Sequence, residues 1–450
     1  MKTVITGGLL VNEGRRQPGS IVVDNDRIAD IITGNVTPRG HFDRTVDATG
    51  CVVMPGVIDD HVHFRQPGLT RKATIESESR AAAFGGVTSY LEMPNTVPQT
   101  TTVEALEEKL SIARKDSHVN YGFFFGATKD NSHLFGQIDR KAIPGIKLFM
   151  GSSTGNMLVD DGDALATIFR RAAELDLPLM THCEDTAIIN RNMKAMKQLH
   201  GDDPAVALHP QIRSTEACLK SSLTAMQMAS RYSTRLHIAH ITTRKEIELY
   251  EQHYQGGSIS LEVCVPHLLF SDADYAAKGA LIKCNPAVKS DDDRQALRRF
   301  IATTQQLATV GTDHAPHELH EKQGGAAKAM SGMPMVQFSL VAMLGLADDP
   351  STGLTVERVV QLMCHNPATL FRIADRGYLR KGYKADIAIV RPASPWTIDS
   401  QAIQSKCGWS PLAGTTMQWR VEQTICNGQL VYDRGTINES IRGQQLSFDR

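Results

Sequence analysis

The feature that most limits the fold of this chain is the alternation, through its middle, of short apolar runs with amphipathic helical stretches. Eight such runs follow one another: VVMPGVIDDHVHF, GVTSYLEMPN, VNYGFFFGA, GIKLFM, LPLMTHC, RLHIAH, SISLEVCVP and LATVGTDH. Between them lie helical patterns such as TIESESRAAAFGG, TVEALEEKLSIARK and STEACLKSSLTAMQMAS. Because strands that alternate with helices form parallel sheets, these repeats predict a (β/α)8 TIM-type barrel over residues 54–375. Its active site is expected at the carboxyl ends of the strands.

The two ends of the chain have a different pattern, because short strands and turns dominate both. The first 53 residues contain TVITGGLLV and SIVVDNDRIADII, with a polar turn at Asn25-Asp26. The last part contains ADIAIV and RVEQTICNGQLVYDRG, in which Asn427-Gly428 between apolar alternations indicates a hairpin. We therefore predict one small β-sandwich domain assembled from residues 1–53 and 376–450.

Composition and charge exclude several classes of function. The chain has 48 Lys and Arg against 49 Asp and Glu, so no basic excess indicates a nucleic acid or an anionic membrane as partner. No apolar run approaches the roughly 18 residues of a membrane-spanning helix. The start, MKTVITGGLLVNEG, lacks the continuous apolar stretch of a secretory signal. We therefore expect a cytoplasmic globular protein, whose 8 scattered cysteines are buried free thiols.

Candidate metal ligands stand at the ends of several apolar runs. His61 and His63 are two residues apart on a strand, so their imidazoles share one face and suit a divalent cation. A lone pair of this kind can equally be two polar residues at a strand end. Three further runs end in His182, His240 and Asp313, which chance burial explains poorly. Together they favour a metal site.

Lys147 lies inside the apolar run GIKLFM. A lysine in such a run either extends its amine to solvent, pairs with an acid, or is chemically altered. A buried amine has a lowered pKa and can add carbon dioxide to form a carbamate, a carboxylate that can bridge two metals. The competing bridge donors are Asp160 and Asp161, in a polar stretch that otherwise reads as a loop and helix cap. We favour Lys147 because it occupies a strand position.

A set of motifs in fixed order runs through the chain. They are HVHFRQPG at 61–68, MPNT at 93–96, HCED at 182–185, HIAH at 237–240, CNPAVK at 284–289, TDHAPH at 312–317 and GYLRKGYKADI at 377–387. Together they resemble the amidohydrolase superfamily, and most closely its longer-type dihydroorotases. The resemblance extends over the whole chain.

The resemblance implies a role for each candidate residue. It implies two zinc ions per subunit, bridged by carboxylated lysine and hydroxide. It also implies one residue that acts first as general base and then as general acid. The expected metal ligands are His61, His63, Lys147, His182, His240 and Asp313, and Asp313 is also the catalytic residue. The expected substrate-binding residues are Arg65, Asn95, Asn285 and His317. Cys183 is expected to be a packing thiol, because adjacent strand residues face opposite ways.

The implied reaction is the reversible cyclisation of N-carbamoyl-L-aspartate to L-dihydroorotate in de novo pyrimidine biosynthesis. Allantoinases and dihydropyrimidinases or hydantoinases are the alternatives, and a carboxylate clamp built on Arg65 argues against them because their rings lack that carboxylate. A non-catalytic scaffold is a further alternative. The resemblance also implies a homodimer and leaves open a carbamoyltransferase partner.

The chain departs from its relatives in two places. Many relatives carry Pro-His-His after the seventh strand, whereas this chain has only His267 there. The segment SGMPMVQFS replaces a different glycine-containing segment of the relatives, so residues 332–337 are expected to adapt the substrate loop. Gly324-Gly325 just before it suggests a mobile connection.

Overall fold

The computed structural model describes residues 1–34, 36, 38–151, 157–253 and 257–450. Its strands are β1 (Lys2–Asn12), β2 (Arg15–Asp24), β3 (Arg27–Thr33), β4 (Arg44–Asp47), β5 (Val52–Pro55), β6 (Val57–Val62), β7 (Val87–Glu92), β8 (Asn120–Phe123), β9 (Phe125–Gly126), β10 (Ile146–Phe149), β11 (Leu179–His182), β12 (Leu236–Ile238), β13 (Ile259–Cys264), β14 (Ala308–Gly311), β15 (Ile387–Arg391), β16 (Trp396–Thr397), β17 (Thr416–Met417), β18 (Arg420–Cys426), β19 (Gln429–Asp433) and β20 (Thr436–Ile437).

The α-helices are α1 (Ile75–Phe84), α2 (Val103–Asp116), α3 (Gly162–Glu174), α4 (Thr186–His200), α5 (His209–Ile212), α6 (Thr215–Tyr232), α7 (Arg244–His253), α8 (Val265–Leu269), α9 (Tyr275–Lys278), α10 (Asp291–Thr303), α11 (Ser339–Ala347), α12 (Val356–Val360) and α13 (Asn366–Phe371). A π-helical turn, Gln361–His365, joins α12 to α13. Short 3-10 turns include Leu319–Lys322 and Val336–Phe338.

The middle of the chain forms the predicted barrel of parallel strands. One sheet contains β6, β7 and β8, and a second runs from β9 through β10, β11, β12 and β13 to β14. Only Phe124 separates β8 from β9, so these two segments are one predicted strand that bends from the first sheet into the second. The ring closes where the amide of His63 donates to the carbonyl of His314 at 2.7 Å. The (β/α)8 prediction is confirmed.

Several helices around the barrel begin at short polar side chains. The oxygens of these side chains accept hydrogen bonds from first-turn amides, which have no backbone acceptor within the helix. Thr102, Asp161 and Ser290 each accept a hydrogen bond from the amide three residues later, at the starts of α2, α3 and α10. Helix α10 then buries Leu297 and Phe300. Among the described helices, none combines the length and apolar character needed to cross a membrane.

The first predicted barrel run divides at Gly56, and this corrects the interpretation of VVMPGVIDDHVHF as one strand. Its first half, β5, pairs with β1 and β15 of a different sheet, while β6 enters the barrel. A Cβ atom at Gly56 would lie 2.1 Å from the Thr88 hydroxyl, so only glycine allows the chain to pass this close to β7. Residue periodicity cannot show the division, because every residue of both halves is buried and neither half alternates between an exposed and a buried face.

Strands from the two ends of the chain form one nine-stranded sheet in a separate β-rich domain. Its order is β20-β19-β18-β15-β5-β1-β2-β3, and β4 pairs with β1. The predicted turns lie where expected: Asn25 and Asn427 have φ values of 55° and 50° between paired antiparallel strands. The β-rich domain built from both ends is therefore present, and its exact limits at residues 53 and 376 stay a proposal.

The last residues of the chain return to the barrel. The amide of Gly443 donates to Ser117 at 2.9 Å, and that of Leu446 donates to Tyr121 at 2.8 Å. Leu446 and Phe448 are each 1% exposed and belong to an apolar cluster that includes Phe124 and Phe371. The tail therefore contacts the barrel where β8 begins.

Candidate active site

A pocket lies at the carboxyl ends of the barrel strands, where the sequence predicts the active site. His61 is in β6 and His182 ends β11, while His240 and Asp313 lie two residues beyond β12 and β14. The residues that line the pocket are His61, His63, Arg65, Asn95, Phe149, His182, His240, Asn285, Asp313, Ala315, Ser331 and Gly332. Most of the predicted site residues therefore converge here from strands far apart in the chain.

His61, His63 and Asp313 form the first group of candidate metal ligands. Asp313 Oδ1 lies 3.0 Å from His63 Nε2 and 3.5 Å from His61 Nε2. His63 Nδ1 lies 2.7 Å from Asn95 Oδ1, and His61 Nδ1 lies 2.9 Å from Glu262 Oε2. If each Nδ1 donates to these oxygens, each Nε2 keeps a lone pair directed at Asp313.

The second group is His182 and His240. Their rings meet edge to face with centroids 4.7 Å apart, and His182 Nδ1 lies 2.9 Å from His240 Nε2. Nδ1 of His240 is buried and has no hydrogen-bond partner among the described residues. The ring of His61 lies 5.3 Å from that of His240, so the two groups adjoin.

These groups fit a divalent cation. Burial lowers the pKa of His61 and His240 well below that of an ordinary histidine, so both rings are neutral and offer lone pairs. Burial by itself raises the pKa of Asp313, but the neighbouring His61 and His63 outweigh it, and its pKa lies below the usual value. An ionised carboxylate facing imidazole lone pairs is a donor set that a cation stabilises.

Lys147 lies in the barrel wall, completely buried, and its Nζ has no hydrogen-bond partner among the described residues. Nζ is 5.4 Å from the centre of the Phe149 ring, and burial lowers the pKa of this amine. In contrast, Asp160 is half exposed and lies 3.6 Å from Lys129, while Asp161 caps α3. The geometry supports Lys147 over either aspartate as bridge donor, and its carboxylation stays a prediction.

Three residues of the site adopt a left-handed backbone conformation. The φ values of Arg65, His240 and Asp313 are 68°, 37° and 47°. Non-glycine residues rarely adopt such angles, and they persist only where the surrounding structure enforces them. Here each side chain leaves a strand end and is turned back over the pocket.

The predicted substrate residues are only partly brought together. Arg65, Asn95 and Asn285 line the pocket, but Asn95 already accepts the hydrogen bond from His63 described above. Asn285 Oδ1 lies 3.1 Å from His209 Nε2, which holds its amide group at the wall. Asn95 therefore also orients a candidate metal ligand.

His317 contacts Arg65 and is not among the residues that line the pocket, so its predicted place in the clamp stays a proposal. Lys72 Nζ lies 2.9 Å from its Nδ1, and its Nε2 lies 3.0 Å from the Ser331 carbonyl oxygen and 3.1 Å from Arg65 Nη2. Burial, together with Arg65 and Lys72, lowers the pKa of His317 below its usual value. The His317 ring is thus held between Lys72, Arg65 and Ser331, and it contacts the guanidinium that lines the pocket.

Sequence reasoning missed Glu262, whose carboxylate lies against His61. Glu262 is completely buried in β13, and the Cys264 thiol donates to it at 2.9 Å. Partners of this kind fix the ring orientation of a metal-binding histidine. The sequence itself contains the signal that could have identified Glu262, because an acid inside the apolar run SISLEVC is as unusual as the lysine inside GIKLFM.

Cys183 and His267 are not among the residues that line the pocket. The Cys183 thiol is 3.3 Å from the Thr181 hydroxyl, and burial raises its pKa to about 12. His267 is buried, and its Nε2 donates to the Pro286 carbonyl at 3.0 Å. Seven of the eight cysteines are buried free thiols and Cys407 is half-buried.

A larger cavity of about 710 Å³ lies between α11 and the nine-stranded sheet. Phe338, Trp396, Arg420 and Tyr432 are among the residues that line it, and its described lining contains no histidine. Size alone would favour this cavity as the active site, whereas the convergence of candidate ligand atoms favours the smaller pocket.

Comparison with known proteins agrees with this geometry. A model described as "Amidohydrolase family" matches residues 52–431. A dihydroorotase of Methanosphaera stadtmanae is 30% identical over 92% of this chain and 92% of its own length. An allantoinase of Bacillus velezensis is 31% identical over 97% of this chain and 95% of its own length. The solved structure of L-hydantoinase (dihydropyrimidinase) from Arthrobacter aurescens superposes with a TM-score of 0.91 at 26% identity, covering 97% of each chain.

Proposed function

Because the chain belongs to the amidohydrolase family, we propose that it is a dihydroorotase within that group of cyclic amide hydrolases. The proposed reaction is the reversible cyclisation of N-carbamoyl-L-aspartate to L-dihydroorotate, a step of de novo pyrimidine biosynthesis. Curated relatives with this name support the proposal, as the one from Methanosphaera stadtmanae does. Relatives named allantoinase and hydantoinase share the reaction type, so the choice among substrates depends on this chain's own pocket.

The observation that carries the proposal is the guanidinium of Arg65 in the pocket wall. Arg65 is 6% exposed, its Nε donates to the Pro316 carbonyl at 3.1 Å, and its Nη2 lies 3.1 Å from His317 Nε2. Burial lowers its pKa to about 10, so it remains a cation at neutral pH. A buried cation in the wall of a small pocket suits the ring carboxylate of dihydroorotate, which dihydrouracil and allantoin lack.

The proposed cofactors are two zinc ions per subunit. His61, His63 and Asp313 would hold one, His182 and His240 the other, and carboxylated Lys147 would bind both. When bound, such ions lower the pKa of a water molecule and polarise the scissile carbonyl. Imidazole and carboxylate donors are the ligands that zinc prefers, and manganese or cobalt accept the same set.

The chain's own residues bind, orient and move protons. In ring opening, Asp313 Oδ accepts the proton of the attacking water and then gives it to the leaving amide nitrogen; closure runs in reverse. Arg65 binds the ring carboxylate and thereby fixes the amide bond relative to Asp313. Glu262 and Asn95 hold the orientation of the His61 and His63 rings.

The test is the substrate preference of an Arg65→Met variant. Hydrolysis of dihydroorotate should fall about a hundredfold or more in kcat/KM, because a buried charged hydrogen bond to the substrate is lost. Hydrolysis of dihydrouracil, allantoin and 5-substituted hydantoins should change far less. Arg71→Met is the matched control, since that side chain is 63% exposed and pairs with Glu318. Equal losses on anionic and neutral rings would contradict the assignment.

Allantoinase or hydantoinase activity is the second candidate, favoured by the allantoinase and hydantoinase relatives. A wild-type preference for a neutral ring would establish it. A non-catalytic scaffold is disfavoured because every predicted ligand side chain is present. A homodimer belongs to the same proposal and rests on the sequence resemblance, which leaves a carbamoyltransferase partner open. The proposed cytoplasmic location rests on the composition of the first residues.

A further inference from the structure

Two loops form the wall of the pocket that faces the metal-ligand groups. One contains Asn285, and the other contains Ser331 and Gly332. The loops are joined directly where the amide of Gly332 donates to the carbonyl of Lys283 at 2.8 Å. The relative position of these loops therefore sets the shape of the pocket where the substrate would lie.

Lys322, at the end of the 3-10 turn Leu319–Lys322, lies buried behind both loops with 5% exposure. Its Nζ donates to the carbonyls of Met330 and Gly332 at 2.7 Å each, and to that of Lys283 at 3.1 Å. An ammonium group has three hydrogens to donate, and all three are used on these two loops.

We propose that Lys322 is a positioning residue that ties the Asn285 loop to the Ser331–Gly332 loop and so fixes the substrate-facing wall of the pocket. This inference rests on the proposed cyclic amide hydrolysis, but not on the identity of the ring. Lys322 itself does not line the pocket; it acts through the backbone of residues that do.

The burial of this amine indicates a specific role. The three groups that accept its hydrogen bonds are neutral carbonyls, and its Nζ lies 5.7 Å from the centre of the Trp409 ring. Burial lowers the pKa of Lys322 to about 7, which reflects an unfavourable loss of hydration. A methionine would fill the same space without that penalty, so the bonds to the loops explain the lysine best.

The rest of the loop is anchored without Lys322. Amides of Gly325, Ala327 and Lys328 donate to the Asp203 carboxylate at 2.8 to 3.0 Å, so the Gly324-Gly325 connection expected to be mobile is held by hydrogen bonds. Loss of Lys322 should therefore release residues 330–332 while the segment before them stays in place.

Gly332 makes the wall sensitive to small shifts. Its φ is +134°, and a Cβ atom there would lie 2.6 Å from the Ala315 carbonyl. The backbone thus passes Ala315, itself a pocket residue, with no free space. A displacement of even a fraction of an ångström at Gly332 would change the width of the pocket.

The experiment compares Lys322→Met with Lys322→Gln in the full-length, zinc-loaded enzyme. Lys322→Met should raise KM about tenfold or more while kcat falls less, with zinc content unchanged. Amide hydrogen exchange at residues 330–332 should rise. Lys322→Gln keeps two hydrogens to donate and should give values between Lys322→Met and wild type. Lys328→Met, an exposed lysine of the same loop, is the matched control and should behave as wild type.

Each ring that wild type hydrolyses, among dihydroorotate, dihydrouracil and allantoin, is assayed with every variant. A preference for a neutral ring would contradict the proposed function and leave the test of Lys322 intact. Unchanged KM and exchange in Lys322→Met would overturn the positioning role. So would equal defects in both variants with loss of zinc, which indicate a general folding role. If Lys322→Met does not fold, the Lys322→Gln comparison with Lys328→Met decides.

Discussion

At the scale of single residues, the site is made by charged groups placed where apolar side chains are expected. Lys147 and Glu262 lie inside barrel strands, completely buried. Burial lowers the pKa of the lysine and raises that of the glutamate. Burial of a charged side chain destabilises the folded protein unless a partner or a ligand compensates for the lost hydration. Buried charged residues of this kind therefore indicate a functional site.

Lys147→Ala tests the bridge. Without a carboxylated lysine the two candidate metal groups lose their shared ligand, so we expect bound zinc to fall toward one ion per subunit. The rate should fall at least about a hundredfold, in line with loss of a metal ligand. A short carboxylic acid such as acetate or propionate should restore part of it. Metal analysis and steady-state assays of the variant measure both effects.

Asp160→Ala is the control for this variant, because the Asp160 side chain is 50% exposed. It should keep the zinc content and rate of wild type. Full activity in Lys147→Ala, combined with a loss in Asp160→Ala or Asp161→Ala, would assign the bridge to an aspartate.

At the scale of elements, a buried polar network joins the β-rich domain to the barrel. Asp386, just before β15, pairs with Arg376 and accepts the amide of Asn427 at 2.7 Å. Asn120, the first residue of β8, donates to Asp386 at 3.1 Å and accepts from Asn427 at 2.7 Å. Gln444 of the tail adds a contact to Arg376 at 3.2 Å. The network thus connects the two ends of the chain to a barrel strand.

Asp386→Ala should destabilise the protein by about 3–5 kcal/mol, because it leaves the Arg376 guanidinium buried without its counterion. The free energy of unfolding in urea, followed by circular dichroism, measures the effect. Asp375→Asn is the matched control: its ion pair with Arg27 is about half exposed and should contribute at most about 1 kcal/mol, and asparagine tolerates the left-handed backbone at this position, where φ is 53°. Similar losses in both variants would refute the importance of burial here.

At the scale of the whole molecule, the candidate ligands come from strands separated by most of the chain, from His61 in β6 to Asp313 after β14. A cation bound between them would hold the barrel closed at its carboxyl end. Ligands that bind only the folded state stabilise it by an amount set by their concentration and affinity, about 2.7 kcal/mol at one hundred times Kd.

Removal of metal by a chelator should therefore abolish activity and lower Tm by several degrees. Reloading with zinc should restore both. Calorimetry of the chelated and reloaded protein, with a parallel activity assay, is the measurement. Mg²⁺ added in place of zinc is the control, because histidine-rich sites bind it poorly. Full activity of metal-free protein would rule out the proposed mechanism.

Local pattern was enough to predict the barrel, the β-rich domain from both ends and five of the twelve residues that line the pocket. Arg65, Asn95 and Asn285 were expected only because the motifs resemble a known family. Periodicity and turn residues are properties of neighbouring positions. Polar residues at strand ends are brought together because parallel strands of a barrel present their carboxyl ends on one face. His61, His63, His182, His240 and Asp313 could be found this way without any knowledge of contacts.

Only the tertiary structure determined which groups of other strands and loops those side chains contact. It divided the first run at Gly56, turned Asn95 toward His63, placed Glu262 against His61 and placed His317 against Arg65. Each of these outcomes depends on atoms that meet from different strands or loops. The direction of a side chain at a strand end is set by the hydrogen bonds and packing it finds there, and those partners are fixed only once the barrel has closed.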